Sequence, residues 1–168
     1  MRPDVRLAPL DHDLLDDLLA TAVADADPLE VMPPVEGPPG WTSRRREAFL
    51  AFHRSRGLAA EPVEATYAVL EGTAVAGAAR LCPLPDPGPG RRAAEAGLWL
   101  GRSHRGVGVG GAVLPLLCET ARRDGFTALY LSTTPDNAPV RRLLARLDAT
   151  PEADDTHVTA WLDLRTGP

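Results

Sequence analysis

Glycines at 106, 108, 110 and 111 fall in one turn, within the stretch Leu98-Trp99-Leu100-Gly101-Arg102-Ser103-His104-Arg105-Gly106-Val107-Gly108-Val109-Gly110-Gly111. An apolar strand pattern leads into that turn and a helical pattern leaves it. Glycine lets the main chain approach an anion closely and take positive φ. A helix start adds unpaired amides and the positive end of its dipole. The chemistry predicted for this stretch is recognition of a pyrophosphate. Gly106-x-Gly108-x-x-Gly111 also fits a dinucleotide-binding turn, a weak pattern when it stands alone. Three features count against that alternative. The turn comes late, after a meander. No acid ends the following strand at Leu131-Ser132-Thr133, and too little chain follows for a doubly wound sheet.

The elements that would position this turn can be read along the chain. Val5 to Ala8 alternates as a first strand. Asp11 to Ala24 carries Leu14, Leu15, Leu18, Leu19 and Val23 at helical spacing, with Asp11 or its neighbour as the cap. Asp27 to Trp41 is proline-rich and reads as turns, yet Val31, Met32, Val35 and Trp41 make it too apolar for a free linker. Ser43 to Arg56 is predicted helical, with Ser43 as N-cap and Ala48, Phe49 and Phe52 buried. Period-2 segments at 64–71 and 74–82 flank Gly72-Thr73, a hairpin signal. A third strand follows at 93–101. After the glycine turn, 112–123 is helical with Pro115 predicting a kink, 127–132 a buried strand, 137–147 a helix and 156–164 a closing strand. The fold class is α/β in the α+β sense, a mixed, mostly antiparallel central sheet with about four helices. The length of 168 residues predicts a single domain.

Composition excludes several function classes. Arg supplies all 18 basic side chains, a coding bias more than a signal, against 23 acids for a net charge of −5. A nucleic-acid binder needs a basic face, so nucleic acid is not an expected partner. No apolar run approaches a membrane span and no secretory signal precedes the acids at Asp11 to Asp17, so a cytoplasmic location is expected. Cys82 and Cys118 have no metal-ligand spacing; free thiols and no metal are expected.

Arg105-Gly106-Val107-Gly108-Val109-Gly110 resembles the Gln/Arg-x-x-Gly-x-Gly/Ala signature of the GNAT family of N-acetyltransferases, and the element order resembles that fold over about residues 4 to 164. The resemblance implies that residues Arg105, Gly106, Val107, Gly108, Val109, Gly110 and Gly111 hold the pyrophosphate of acetyl-coenzyme A. It implies that the strand Glu95 to Leu100, with Leu98, Trp99 and Leu100, lies along the pantetheine arm and splays from the strand 127–132, the thioester lying between them. Pro135-Asp136-Asn137-Ala138-Pro139 is similar to the Asn-containing family motif, which would bring Asn137 near the thiol end; an N-cap role suits Asn137 equally. The chain departs from the family where a Tyr general acid often stands, here Leu144, and Asp148-Ala149 replaces a common Gly-Phe. Tyr130, Ser132 or Thr134 are candidate substitutes, or the thiolate leaves unaided.

The implied reaction is attack of a neutral amine on the thioester carbonyl, which needs a base for the ammonium proton and a donor for the oxyanion. The base candidates are Glu95, against an exposed strand-end carboxylate, and Asp136, against helix-dipole complementation. The amide of Leu100 or Leu98 is the implied oxyanion donor. His104 is expected against phosphate or solvent, and His53 as a structural histidine. Residues 1–36 hold nine acids against Arg2 and Arg6, a field that attracts a polycationic small molecule. Within the proline-rich acceptor-site loop 25–42, Asp27, Glu30, Met32, Glu36 and Trp41 are the acceptor candidates. This segment looks similar to the lid of aminoglycoside acetyltransferases of the kasugamycin-modifying kind. Polyamines, amino acids and protein N-termini are alternative acceptors, and a non-catalytic acyl-coenzyme A sensor is the alternative to an enzyme. A monomer or homodimer is expected.

Overall fold

The computed structural model describes residues 4–147 and 149–166. Asp148, one of the two residues that depart from the Gly-Phe helix ending, lies outside them.

The strands are β1 (Val5–Pro9), β2 (Ala65–Glu71), β3 (Ala74–Pro83), β4 (Ala93–Leu100), β5 (Ala128–Thr133), β6 (Thr150–Ala153) and β7 (Val158–Asp163). The helices are α1 (His12–Asp25), α2 (Pro28–Val31), α3 (Ser43–Gly57), α4 (Val109–Arg123) and α5 (Ala138–Ala145), with a 3-10 turn at Arg102–His104. The strands form a seven-stranded sheet in the order β1-β2-β3-β4-β5-β7-β6. β1 with β2, β5 with β7 and β6 with β7 are antiparallel; β4 with β5 is parallel. The mixed, mostly antiparallel sheet is therefore as expected, with α2 and β6 as additions to the expected element order.

The parallel ladder is short. It matches Ala93, Ala94 and Glu95 to Ala128, Leu129 and Tyr130. β4 runs on to Leu100 and β5 to Thr133 beyond the matched residues, while β5 pairs with β7 along its whole length. A parallel pair that parts after Glu95 is the splayed strand pair of the expected fold.

The chain divides into two compact units. One takes the chain through Arg80 together with Leu98–Val113; the other takes Leu81–Gly97 and the chain from Leu114 on. The first unit is built on the α1 stripe Leu15, Leu18 and Ala22, which packs with Val31, Met32, Phe49, Ala68 and Ala78. Asp11 caps α1 by accepting from the Leu14 amide at 2.8 Å, as the sequence predicts. The cap of α3 is Thr42, not Ser43: Thr42 Oγ1 accepts from the Arg45 amide at 3.2 Å, and Ser43 is already helical. The buried stripe of α3 is Arg45, Phe49 and His53, while Ala48 and Phe52 are half-buried.

Arg45 explains why the proline-rich segment is ordered. Its guanidinium donates to the carbonyls of Val35 at 2.9 Å, Gly40 at 2.7 Å and Gly37 at 3.4 Å, and to that of Pro38. Four main-chain acceptors of a loop with few amide donors are thus satisfied by one buried cation. In the second unit, Leu117, Leu129, Leu144 and Ala160 are each 1% exposed or less and mark the interior.

Candidate functional site

The glycine turn links the end of β4 to the start of α4. Gly106 and Gly108 take φ of +73° and +95°, backbone that side-chain-bearing residues rarely adopt. The amide of Ala112 makes the first helical bond, to Gly108 O at 3.2 Å. The amides of Val109, Gly110 and Gly111 precede it and have no acceptor within the helix. A cluster of main-chain donors with glycine Cα atoms between them can accept an anion without steric obstruction. Arg105, Gly106 and Val107 are exposed, Gly108, Gly110 and Gly111 half-exposed and Val109 buried.

Three acids hold the residues leading into this turn, one acid to each successive residue. Asp25, the last residue of α1, accepts from the Ser103 amide at 3.0 Å and from Ser103 Oγ at 2.6 Å. The Ser103 hydroxyl holds the Asp25 carboxyl below the ordinary carboxylate range, with the Ser103 amide, His104 and Arg102 adding to the effect against some desolvation. His104 Nδ1 lies 2.5 Å from Glu71 Oε2, where an exposed or phosphate-facing imidazole was expected. Arg105 donates through Nε to Leu100 O at 2.9 Å and through Nη2 to Glu30 Oε2 at 2.9 Å. The Arg105 guanidinium likewise lowers the Glu30 carboxyl against a smaller desolvation effect. Glu30, an acceptor candidate, and Arg105, a coenzyme candidate, are therefore partners.

The other acceptor candidates divide by burial. Asp27 caps α2, accepting from the Leu29 amide at 2.9 Å. Met32 is buried in the apolar core of the first unit. Trp41 donates Nε1 to Ala26 O at 2.9 Å and sets its ring edge-on to Phe49 at 5.7 Å. Glu36 is exposed. Trp99 stands 6.4 Å from the Phe49 ring. Its Nε1 is buried without a hydrogen-bond partner, as are both ring nitrogens of His53 and Thr66 Oγ1.

On β4, Leu98 is partly exposed and Leu100 buried. Leu100 O is engaged by Arg105, which fixes the peptide that follows Leu100. Glu95 is half-buried at the last matched pair of the parallel ladder, with Tyr130 as its register partner. Asp136 is exposed, and a hydrogen bond from Thr134 holds its carboxyl below the ordinary range, which weakens it as a base. Asn137 is the N-cap of α5: its Oδ1 accepts from the Val140 amide at 3.3 Å. Leu144 is 1% exposed, so the position of the missing Tyr faces the interior. Among the described residues, no group of three or more His, Cys, Asp or Glu side chains is arranged to hold a metal ion.

Asp25 and Glu71 are the residues that sequence reasoning missed. A signal for Asp25 existed. A carboxylate in the last turn of a helix opposes the negative end of the dipole, so it calls for a compensating partner.

Residues 29–149 match the family profile described as the acetyltransferase (GNAT) family. Among solved structures, Mycobacterium smegmatis RimJ in complex with CoA-disulfide superposes with a TM-score of 0.71 at 18% identity, covering 98% of this chain and 84% of its own. The GNAT domain of PAT from S. lividans gives 0.67 at 18%, covering 95% and 89%. The yncA structure from Salmonella typhimurium with its cofactor acetyl-CoA gives 0.66 at 20%, covering 97% and 95%. No curated protein sequence matches the chain.

Proposed function

The chain belongs to the acetyltransferase (GNAT) family, and from that premise we propose that it transfers the acetyl group of acetyl-coenzyme A to a primary amine of a small molecule. The observation that carries the reading is the turn: positive φ at Gly106 and Gly108, followed by three amides at the start of α4 that no helical carbonyl uses. In this reading those amides bind the diphosphate, as the helix-start chemistry favours, and the chain acts as one catalytic domain.

The residues divide the work as follows. The backbone of Leu98 to Leu100 runs beside the pantetheine arm, and the amide of Leu100 or Leu98 donates to the oxyanion. Glu95 takes the proton from the attacking ammonium, because Asp136 is held too acidic by Thr134 to be the better base. The amine lone pair forms the C–N bond, the C–S bond breaks, and the sulfur leaves as a thiolate that is protonated to free thiol. Leu144 offers no acid for that step, and a thiolate near neutral pH is a tolerable leaving group. Asn137 keeps its cap with Oδ1, and by the family motif its side-chain amide is the group we assign to the thiol end of the coenzyme.

The acidic first 36 residues favour a cationic acceptor, and aminoglycosides and polyamines head the classes we propose. An aminoglycoside acceptor would make the enzyme a resistance factor. We propose a cytoplasmic location, where the buried Cys118 thiol, pushed up by burial, stays protonated. Among the described residues no helix is long and apolar enough to cross a membrane. The buried Leu144 also favours a second reading, an acyl-coenzyme A sensor that binds without turnover.

Free-thiol release from acetyl-coenzyme A over a panel of aminoglycosides, polyamines, amino acids and N-terminal peptides tests the reading. Turnover with one amine is expected and removes the sensor. Glu95→Gln should lower kcat about 100-fold, the scale of one general base, and change the pH profile. An unchanged profile contradicts the assignment of Glu95.

A further inference from the structure

We propose that Asp25 is a positioning residue for the coenzyme turn, and that Gly101 is a glycine because this carboxylate occupies the place of its side chain. The proposal rests on the acetyltransferase reading and deepens it.

Asp25 lies far from the turn in sequence but against it in space. Its carboxylate accepts from the Ser103 amide with both oxygens, at 3.0 and 3.2 Å, and from the Ser103 hydroxyl at 2.6 Å. Ser103 lies in the 3-10 turn Arg102–His104, which carries the chain from β4 into Arg105 and the first glycine. Gly101 has φ −55° and ψ 150°, which any residue can adopt. Conformation therefore does not demand glycine there; space does. A Cβ on Gly101 would overlap Asp25 Oδ2 and stand 3.1 Å from its carboxyl carbon. The Gly101 amide itself is tied to Ala76 O at 2.9 Å, so the main chain on that side has little freedom to retreat.

A charged carboxylate beside an anion site would ordinarily repel the anion. Here its charge is spent on Ser103, with His104 and Arg102 nearby. Glu71 on His104 and Glu30 on Arg105 repeat the arrangement on the next two residues. The acids thus fix the main chain entering the turn while basic and donor groups offset their field. Fixing that chain before the ligand arrives removes an ordering cost from binding.

The test is calorimetric titration of acetyl-coenzyme A into wild type, Asp25→Ala, Asp25→Asn, Gly101→Ala and the double variant Asp25→Ala/Gly101→Ala, with ligand-free melting as a fold control. Asp25→Ala is expected to weaken binding on the order of tenfold, the effect of losing hydrogen bonds to a charged group. Asp25→Asn should recover part of the loss, since its Oδ1 still accepts from the Ser103 amide. Gly101→Ala, whose backbone conformation is unstrained, should match Asp25→Ala by displacing the carboxylate. The double variant should be no weaker than either single one, because both remove the same contact. Wild-type affinity in Asp25→Ala, or losses that add in full in the double variant, overturns the proposal while leaving the acetyltransferase reading intact. No binding to wild type overturns both.

Discussion

Both ring nitrogens of His53 are buried without a hydrogen-bond partner, and burial drives the ring's pKa down to about 4, only partly opposed by the nearby Glu64 carboxylate. The imidazole is therefore neutral in the folded chain at pH 7, while the unfolded chain titrates near the ordinary value of 6.5. Between those two values the unfolded state binds more protons, so stability falls as pH falls from about 6.5 to about 4. The shift corresponds to a loss of up to about 3 kcal/mol. His53→Leu should flatten that limb of the stability curve, measured by denaturant melts at stepped pH; an identical slope in wild type and variant would rule out His53 as its source. The local residue chemistry was legible: Asp11 and Asn137 cap the helices that their types predict. Asp25 to Ser103 was not, because a contact 78 residues apart in sequence leaves no local pattern.

At the scale of elements, the glycine turn and α4 form one device, and its conformation can be tested by a single methyl group. Gly108→Ala places a side chain at φ +95°, a strain of about 1–2 kcal/mol. The melting temperature should fall by a few degrees and acetyl-coenzyme A affinity by at least tenfold; a variant that binds as wild type does would show that this backbone shape is not used. The turn was legible because glycine spacing is a local signal. Two elements were not. Proline at the first position of α2 reads as a breaker but is well placed to start a helix, where no amide partner is lost. β6, with Pro151 and Glu152 in four residues, lacks both the alternation and the β-branched run that mark strands, and its pairing with β7 supplies what the sequence does not.

At the scale of the whole molecule, a net charge of −5 sits on a chain whose glycine turn is proposed to bind a polyanionic coenzyme. In the proposed reading main-chain dipoles offset that charge locally, and the acids that contact the residues entering the turn, Asp25, Glu30 and Glu71, are each engaged by a donor or cation. Glu30 and Asp27 are engaged in structural contacts, so the proposed attraction of an amine falls to exposed Glu36 and the acidic face of α1. The central claim is that main-chain amides of the glycine turn and the start of α4, up to Gly111, hold the coenzyme diphosphate. Amide NMR of isotope-labelled protein titrated with acetyl-coenzyme A tests it most directly, with pantetheine as the arm lacking phosphate. The predicted result is that the largest amide shifts fall between Arg105 and Gly111, with coenzyme and not with pantetheine. Large shifts elsewhere with those amides unmoved would contradict the account.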